Sequence, residues 1–305
     1  MNAAVIFPGQ GAQFEGMGRD WAEAYPTARA TWQEADKALG FSLSEKCWQS
    51  GEDVNRTDIA QPGIFTTGVA IARVLREQGV IDGAASLTAG LSLGEYTALW
   101  FAGSLKFEDG LRLVRLRGEA MQDASESNPS SMLSLTGADE AQAHAVAKAG
   151  SEAGICSVAN INAPGQIILS GELAALDHVE ACAKEHGIRR TRRLVVAGGF
   201  HSECMRPAAD RLAAALSDVE LQAPNIPFLS NVTGAETTDV EAIRSQLADQ
   251  VCSSVLWEKS MRDALGRGIT EFLEPGPGKV LAGILKRIDP DAACRAADVP
   301  ASIEA

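Results

Sequence analysis

The 305-residue chain is acidic, with a formal net charge of −13, and its 46% hydrophobic content suffices for one large core or two subdomains. Nucleic acid is not an expected partner, because phosphate binding requires a basic face. No apolar run approaches the roughly 20 residues of a membrane span, and we expect neither a signal peptide nor a membrane partner. The six cysteines include no C-x-x-C pair, which favours reduced thiols in a cytoplasmic protein without a metal site.

The first third of the chain predicts strands and helices in alternation. Residues 3–7 form an apolar run that predicts a buried strand, and helical patterns follow at 27–39 and 62–78. Pro62 is expected in the first turn of the second helix, where a missing N–H is tolerated. Residues 84–89 predict a short buried strand, and 95–102 predict a buried helix that stops at Gly103. Residues 107–122 predict another helix.

A serine lies between two glycines where the 84–89 strand meets the next helix. Ser92 in "GLSLG" has the G-x-S-x-G spacing of a nucleophile on a strained strand-to-helix turn. Gly90 and Gly94 would permit the sharp turn and the close approach of the helix to the strand. An ordinary glycine-rich turn can have the same spacing. The interpretation of Ser92 as a nucleophile therefore also requires a base, because a serine hydroxyl alone is a poor nucleophile.

The middle of the chain predicts a β-α-β-β-α-β order. Strands are predicted at 132–136, 155–162, 166–170 and 189–197, and helices at 139–148 and 173–186. This is the order of a ferredoxin-like subdomain. We therefore predict a small ferredoxin-like subdomain at 128–197, inserted into a large α/β subdomain formed by 1–127 and 198–305. The large subdomain would continue with a helix at 202–217, strands at 227–229 and 269–274, and a helix from Lys279.

One of the four histidines has the context of a base for Ser92. His144, His178 and His186 lie within helical patterns and fit a solvated surface. His201 follows an apolar strand and two glycines and precedes the 202–217 helix, where the helix N-terminus would favour a neutral imidazole. A capping or core histidine is the alternative.

An arginine lies on the apolar face of the helix at 107–122. Arg117 shares that face with Leu111, Val114 and Met121, whereas the polar residues lie elsewhere on the helix. A buried guanidinium needs an anion, which is either a carboxylate of this chain or part of the substrate. Gly118 beside it is expected to leave room for a ligand.

Acyl transfer also needs N–H donors for an oxyanion. The backbone amides of Leu93, directly after Ser92, and of Gln10, between two glycines, are the candidates. The glycines around Gln10 are not a dinucleotide fingerprint, since Phe14 stands where the last glycine should be. The "GPGK" at 276–279 likewise lacks the first glycine of a phosphate loop.

Six motifs together resemble the malonyl-CoA:acyl carrier protein transacylase family of fatty acid and polyketide synthesis. They occur in the family's order and span nearly the whole chain: "FPGQGAQ" at 7–13, "GLSLGEYTAL" at 90–99, "RLRGEAMQ" at 115–122, "NINAPGQIILSG" at 160–171, "FHSECM" at 200–205 and "EPGPGKVLAGI" at 274–284. The resemblance implies an α/β fold in which an α/β-hydrolase-like large subdomain carries a ferredoxin-like small one.

The resemblance also implies roles for individual residues. Ser92 is similar to the acylated nucleophile, His201 to its base and Arg117 to the clamp for the malonyl carboxylate. The amides of Gln10 and Leu93 are similar to the oxyanion hole. The backbone carbonyl that orients the histidine corresponds to that of Gln250, and the residue beside the acyl group corresponds to Phe200. Three supporting polar residues correspond to Gln61, Asn160 and Asn162. Leu91 departs from the family, which usually has histidine there, and Phe200 favours malonyl over methylmalonyl.

The implied reaction transfers malonyl from malonyl-CoA to the phosphopantetheine thiol of acyl carrier protein through a malonyl-Ser92 intermediate, for fatty acid biosynthesis and without a bound cofactor or metal. A polyketide acyltransferase, an α/β-hydrolase-type esterase or thioesterase, and a non-catalytic carrier-binding subunit are the alternatives. Hydrolases of that type usually place the histidine near the chain end, whereas about 100 residues follow His201.

An acidic carrier protein would need a local basic patch on this acidic chain. Two groups of basic residues are candidates for docking it, and solvated surface charge is the alternative for each. The first group is Arg189, Arg190, Arg192 and Arg193; the second is Lys279, Lys286 and Arg287.

Overall fold

The computed structural model describes residues 3–49, 51–81 and 85–303, in which the strands form two separate sheets. The larger sheet has the order β10-β9-β1-β2-β7-β8, parallel except for β8 at one edge. Its strands are β1 (Ala3–Phe7), β2 (Leu87–Gly90), β7 (Phe228–Ser230), β8 (Ala235–Glu236), β9 (Glu271–Pro275) and β10 (Ala293–Ala297).

Helices cover both faces of this sheet, because successive side chains of a strand point to opposite faces. Val5 and Phe7 of β1 belong to the core on one face, where the long helices α4 and α6 pack together. Ala4 and Ile6 belong to the core on the other face, which the last two helices cover. The helices outside the smaller subdomain are α1 (Arg19–Ala24), α2 (Pro26–Leu39), α3 (Leu43–Gln49), α4 (Thr57–Glu77), α5 (Gly94–Phe101), α6 (Phe107–Ser127), α9 (Arg206–Ser217), α10 (Val240–Asp249), α11 (Trp257–Gly266) and α12 (Val280–Ile288).

The smaller sheet is antiparallel and has the order β4-β5-β3-β6. With two helices on one face, this is the ferredoxin-like arrangement that the sequence predicts. Its elements are β3 (Ser130–Thr136), α7 (Glu140–Gly150), β4 (Cys156–Ala163), β5 (Gln166–Glu172), α8 (Leu173–Cys182) and β6 (Arg190–Arg193). These elements lie inside the segment 128–197, whose limits as a subdomain stay a prediction.

The prediction that Pro62 lies in the first turn of its helix is wrong. Helix α4 begins at Thr57, so Pro62 lies inside it rather than in its first turn. Proline has no N–H for the carbonyl four residues earlier, which here is that of Asp58. Arg115 Nη1 donates to this carbonyl oxygen at 2.5 Å, so a side chain from α6 replaces the missing backbone donor.

Several other boundaries also differ from the sequence prediction. Strand β2 covers residues 87–90, so it begins three residues later and ends one residue later than the predicted strand at 84–89. Ala84, at the start of that prediction, lies outside the described residues. Strand β6 ends at Arg193, whereas the prediction extended to 197. The helix predicted at 202–217 is a short 3₁₀ turn over Glu203–Met205 followed by α9. Across the described ranges, no helix has the length and apolar content that a membrane crossing requires.

Candidate active site

Ser92 lies on a sharp turn between β2 and α5, with a left-handed φ of 52°. Two glycines make the turn possible. A Cβ on Gly90 would lie 1.9 Å from the carbonyl carbon of Gly94, and a Cβ on Gly94 would lie 2.2 Å from the carbonyl oxygen of Phe7. Any side chain at either position would therefore push the helix away from the strands. The turn presents the Ser92 hydroxyl at the carboxyl edge of the larger sheet.

His201 meets Ser92 from the segment that follows β6. Its Nε2 lies 2.8 Å from Ser92 Oγ, and its Nδ1 lies 2.8 Å from the carbonyl oxygen of Gln250. A carbonyl oxygen only accepts, so Nδ1 carries the proton and Nε2 is left to accept from the serine hydroxyl. His201 has a φ of 62°, and these two residues are the non-glycine residues with positive φ among those described. Backbone strain is thus concentrated at this pair.

The imidazole of His201 is neutral for a different reason from the one the sequence suggested. His201 is 4% exposed, and burial lowers its pKa from 6.5 to about 4, with the positive charge of Arg117 acting in the same direction. A long helix does not begin at His201, because Ser202 caps only the short 3₁₀ turn. Desolvation of the charged form therefore keeps the base free of its proton.

Arg117 projects from α6 to the same serine. Its Nη2 donates to Ser92 Oγ at 3.0 Å and to Gln250 Oε1 at 2.8 Å, and its Nη1 donates to Gln61 Oε1 at 2.9 Å. The side chain is 1% exposed, its Nε has no partner, and no carboxylate of the described residues forms an ion pair with it. Burial lowers the pKa of Arg117. The guanidinium has only neutral hydrogen-bond partners, and the carboxyl group of Glu95, which acts on its charge, is not in direct contact with it.

The space expected beside Gly118 is not a ligand site. A Cβ on Gly118 would lie 2.6 Å from the carbonyl oxygen of Thr57 and 2.9 Å from Cα of Asp58. The glycine instead lets α6 pack against the backbone at the start of α4, which brings Arg117 close to Gln61 of that helix.

The two backbone amides that the sequence suggested as oxyanion donors are free of intramolecular acceptors. Leu93 occupies the N-cap position of α5, and Gln10 follows β1 and lines the cleft. Neither N–H meets an acceptor within the described part of the chain. The Gln10 side chain is held by Gln61, which donates to its Oε1 at 3.2 Å, and by Thr57, whose Oγ1 accepts from its Nε2 at 3.3 Å.

These groups open into a cleft of about 240 Å³ between the two subdomains. Asn160, Asn162 and Phe200 line it, whereas Gln61 lies behind Arg117. The Oδ1 of Asn162 is buried and has no partner. The other lining residues are Gly9, Gly11, Gln13, Leu91, Met121, Met132, Gln166, Ile168, Leu194, Val196, Val280 and Ile284. A larger recess of about 720 Å³, lined partly by residues 137–140, contains none of the predicted site residues.

Comparisons with known proteins show the family of this chain. Residues 5–281 match the acyl transferase domain family. The chain belongs to that family.

Relatives of this acyl transferase include two bacterial malonyl CoA-acyl carrier protein transacylases. The one from Bacillus subtilis is 38% identical over 303 residues, covering 99% of this chain and 95% of the relative. The one from Escherichia coli strain K12 is 37% identical over 303 residues, covering 99% and 97%.

Solved structures of similar proteins confirm the predicted fold class. An acyl carrier protein S-malonyltransferase from Vibrio cholerae superimposes with a TM-score of 0.95 at 35% identity, covering 100% of this chain and 99% of that one. A malonyl-transacylase in complex with a type II PKS acyl carrier protein has a TM-score of 0.95 at 37% identity, covering 100% and 98%.

Two residues that the sequence patterns did not indicate hold the serine turn of this acyl transferase. Asn231 Oδ1 accepts from the backbone N–H of Ser92 at 2.6 Å, and Asn231 Nδ2 donates to the carbonyl oxygen of Gly90 at 2.7 Å. Glu95 in turn accepts from the backbone N–H of Asn231 at 2.6 Å. A signal was present: Asn231 lies two residues after the strand predicted at 227–229, and the carboxyl ends of neighbouring parallel strands meet at one edge of a sheet.

Proposed function

We propose that this protein transfers a malonyl group from malonyl-CoA to the phosphopantetheine thiol of acyl carrier protein in fatty acid biosynthesis. One observation carries the proposal: a buried arginine with no carboxylate partner among the described residues touches the hydroxyl of a serine–histidine pair. A buried guanidinium favours an acyl group that brings its own carboxylate. The names of the similar transacylases support the same substrate and carrier.

The first half-reaction forms the acyl-enzyme. Nε2 of His201 takes the proton from Ser92 Oγ, and the oxygen attacks the thioester carbon of malonyl-CoA. The negative charge that develops on the carbonyl oxygen would be met by the free N–H groups of Gln10 and Leu93. Collapse of the tetrahedral intermediate breaks the C–S bond, and the proton held by His201 passes to the leaving thiolate of CoA. Malonyl remains as an ester on Ser92.

The second half-reaction reverses these steps with a different thiol. His201 takes the proton from the phosphopantetheine thiol of the carrier, and the sulfur attacks the Ser92 ester. The same amides would meet the oxyanion, and the C–O bond to Ser92 breaks as the oxygen regains its proton from His201. The carbonyl of Gln250 holds the imidazole in one tautomer throughout, without a carboxylate. The chemistry requires no metal or bound cofactor, and we propose that none takes part.

The remaining site residues shape the acyl pocket in this proposal. Phe200 limits the space beside the acyl group and disfavours branched malonyl groups. Gln61 holds Arg117, and Asn160 and Asn162 would contact the substrate from β4. The free thiols of all six cysteines support a reducing compartment, the cytoplasm, as the place of the reaction.

Intact-mass measurement tests the proposal. The protein is incubated with malonyl-CoA alone and then with holo acyl carrier protein. One malonyl group should add to the chain, remain there, and pass to the carrier. Steady release of free malonate without a carrier would indicate a hydrolase, and no added mass would indicate a non-catalytic carrier-binding protein. Parallel reactions with carriers of fatty acid and type II polyketide synthesis decide which carrier is preferred, since one similar structure contains a carrier of the latter kind.

A further inference from the structure

A buried carboxyl group lies directly beneath the nucleophile and has no role in the mechanism above. Glu95 of α5 is 1% exposed. Its Oε1 accepts from the backbone N–H of Asn231 at 2.6 Å, and its Oε2 accepts from the side-chain Nε2 of Gln250. No cation of the described residues forms an ion pair with it. Both oxygens thus accept hydrogen bonds from neutral donors.

The side-chain amide of Gln250 connects this carboxyl group to the site. Its Nε2 also donates to the carbonyl oxygen of Ser92 at 2.9 Å, and its Oε1 accepts from Arg117 Nη2 at 2.8 Å. The backbone carbonyl of the same residue accepts from His201. One residue therefore contacts the nucleophile, the base and the arginine, and the direction of its amide decides two of those contacts.

Glu95 fixes that direction together with the carbonyl oxygen of Ser92 and the guanidinium of Arg117. An ionised carboxylate can only accept, so the NH₂ group of Gln250 must face it and the amide oxygen must face Arg117. A reversed amide would place two N–H donors against the guanidinium, which is also only a donor. A proton or an amide at position 95 would introduce a donor and weaken the restraint on this orientation, which then depends on Ser92 and Arg117 alone.

We propose that Glu95 is a positioning residue for malonyl selection, whose carboxylate orients the Gln250 amide and so holds Arg117 and the Ser92 turn in place for an acyl group that carries a carboxylate. The inference rests on the proposed function. It predicts a specific loss of preference for malonyl over an uncharged acyl group, whereas loss of folding or of the oxyanion donors would slow both alike.

The ionisation of Glu95 makes this preference dependent on pH. Burial raises the pKa of Glu95 to about 8, against the opposing effects of the Asn231 and Gln250 donors and of the Arg117 charge. The other titratable groups around it are Tyr96, whose pKa burial raises, and His201, whose pKa is lowered to about 4. Neither of these changes charge between about pH 6 and pH 9. Preference for malonyl should therefore fall as pH decreases across that interval, as Glu95 takes up a proton.

The experiment compares acylation of Ser92 by malonyl-CoA and acetyl-CoA, as the ratio of the two kcat/KM values, in the wild type and Glu95→Gln. Glu274→Gln is the matched control, since Glu274 is also fully buried and accepts from two backbone N–H groups, of Leu281 and Ala282, at 2.9 Å each. At about pH 9, where Glu95 of the wild type is ionised, we expect Glu95→Gln to lower the ratio about tenfold or more. The variant should also lose the pH dependence of the ratio. Glu274→Gln should keep the ratio of the wild type at every pH.

The outcomes separate this inference from the proposed function. A wild type that malonyl-CoA does not acylate overturns the proposed function. A wild type that is acylated, with the same ratio in Glu95→Gln, overturns the role of Glu95, as does an equal drop in Glu274→Gln. If Glu95→Gln does not fold, the wild type and Glu274→Gln decide together, because burial raises the pKa of Glu274 to about 7, within the same interval. A ratio that rises with pH in both proteins supports the role of Glu95. A constant ratio in the wild type, or a pH dependence that disappears in Glu274→Gln, contradicts it.

Discussion

Arg117 Nη2 donates a hydrogen bond of 3.0 Å to Ser92 Oγ, the same oxygen that lies 2.8 Å from Nε2 of His201. The serine hydroxyl thus has a base on one side and a buried cation on the other. A positive charge beside the oxygen stabilises the alkoxide character that develops during attack. The positive charge of Arg117 also lowers the pKa of His201, so a single arginine affects both the nucleophile and its base.

Ser92→Ala should abolish both acylation and transfer while the protein remains folded. The substitution removes the only atom that can carry the acyl group in the proposed mechanism, and alanine fits a site that already holds a serine. Intact mass after incubation with malonyl-CoA measures the first effect, and thermal unfolding measures the second. A variant that still gains one malonyl group would show that a different residue is acylated.

Arg117→Ala should lower kcat/KM for malonyl-CoA by about 30-fold to several thousand-fold, because breaking a buried charge pair costs roughly 2–5 kcal/mol. Acetyl-CoA should lose far less, because it gives up only the effect of the arginine on the Ser92 oxygen and leaves no unpaired guanidinium in the variant. Lysine should restore little, because it lacks the planar pair of donors. Rates for both substrates in both variants provide the measurement. A parallel fall for malonyl and acetyl would make Arg117 a structural residue.

His201→Ala should slow both half-reactions by about 10² to 10⁴, since one base serves the serine hydroxyl and then the incoming thiol. Single-turnover acylation by malonyl-CoA and transfer from isolated malonyl-enzyme to the carrier are measured separately. His144→Ala is a suitable control, because that histidine is exposed on α7. Impairment of the second step alone would contradict the assignment of His201 as the shared base.

The pH dependence of stability should report the buried imidazole. The pKa of His201 is lowered from 6.5 to about 4 in the folded protein, so the unfolded chain takes up the proton first as pH falls. This group's contribution to the free energy of unfolding is fully present above about pH 6.5 and is lost as pH decreases toward 4, by about 3 kcal/mol. Urea unfolding of the wild type and His201→Ala at about pH 7 and pH 4.5 provides the comparison. The variant should lose less stability on acidification; equal losses would mean that the imidazole titrates normally.

Docking of the acidic carrier should depend on the basic residues of α12. Val280 and Ile284 of this helix line the cleft, and Lys286 and Arg287 are exposed on it. In the other group, Arg193 is engaged by Asp177 at 2.6 Å and by Glu180 at 2.9 Å. Charge reversal of the α12 pair should raise KM for the carrier and leave acylation by malonyl-CoA unchanged.

The matched control for docking reverses two exposed arginines of the other group, Arg190 and Arg192 on β6. A larger rise in KM for that variant would assign docking to β6 instead. Equal losses in both half-reactions would indicate disturbed folding or contacts with CoA.

The sequence alone was sufficient for features that depend on neighbouring residues. Apolar runs and periodicity predicted the central strands, the helix that carries Arg117 and the order of the smaller subdomain. The G-x-S-x-G spacing predicted the turn at Ser92, and the steric limit at Gly90 does arise locally, from Gly94 and Glu95. The limit at Gly94 comes instead from Phe7 and Pro8, at the end of β1. The burial of Arg117 followed from its position on an apolar helix face.

Only the tertiary structure decided the features that join distant segments. Pro62 lies inside a helix because Arg115, from another helix, supplies the missing donor. The pKa of His201 depends on burial by segments far along the chain. Asn231 and Gln250 reach Ser92 from 139 and 158 residues away, through hydrogen bonds that exist only once the strands are side by side. Local pattern cannot encode the direction of an amide, because that direction depends on which donors and acceptors the folded chain brings to it.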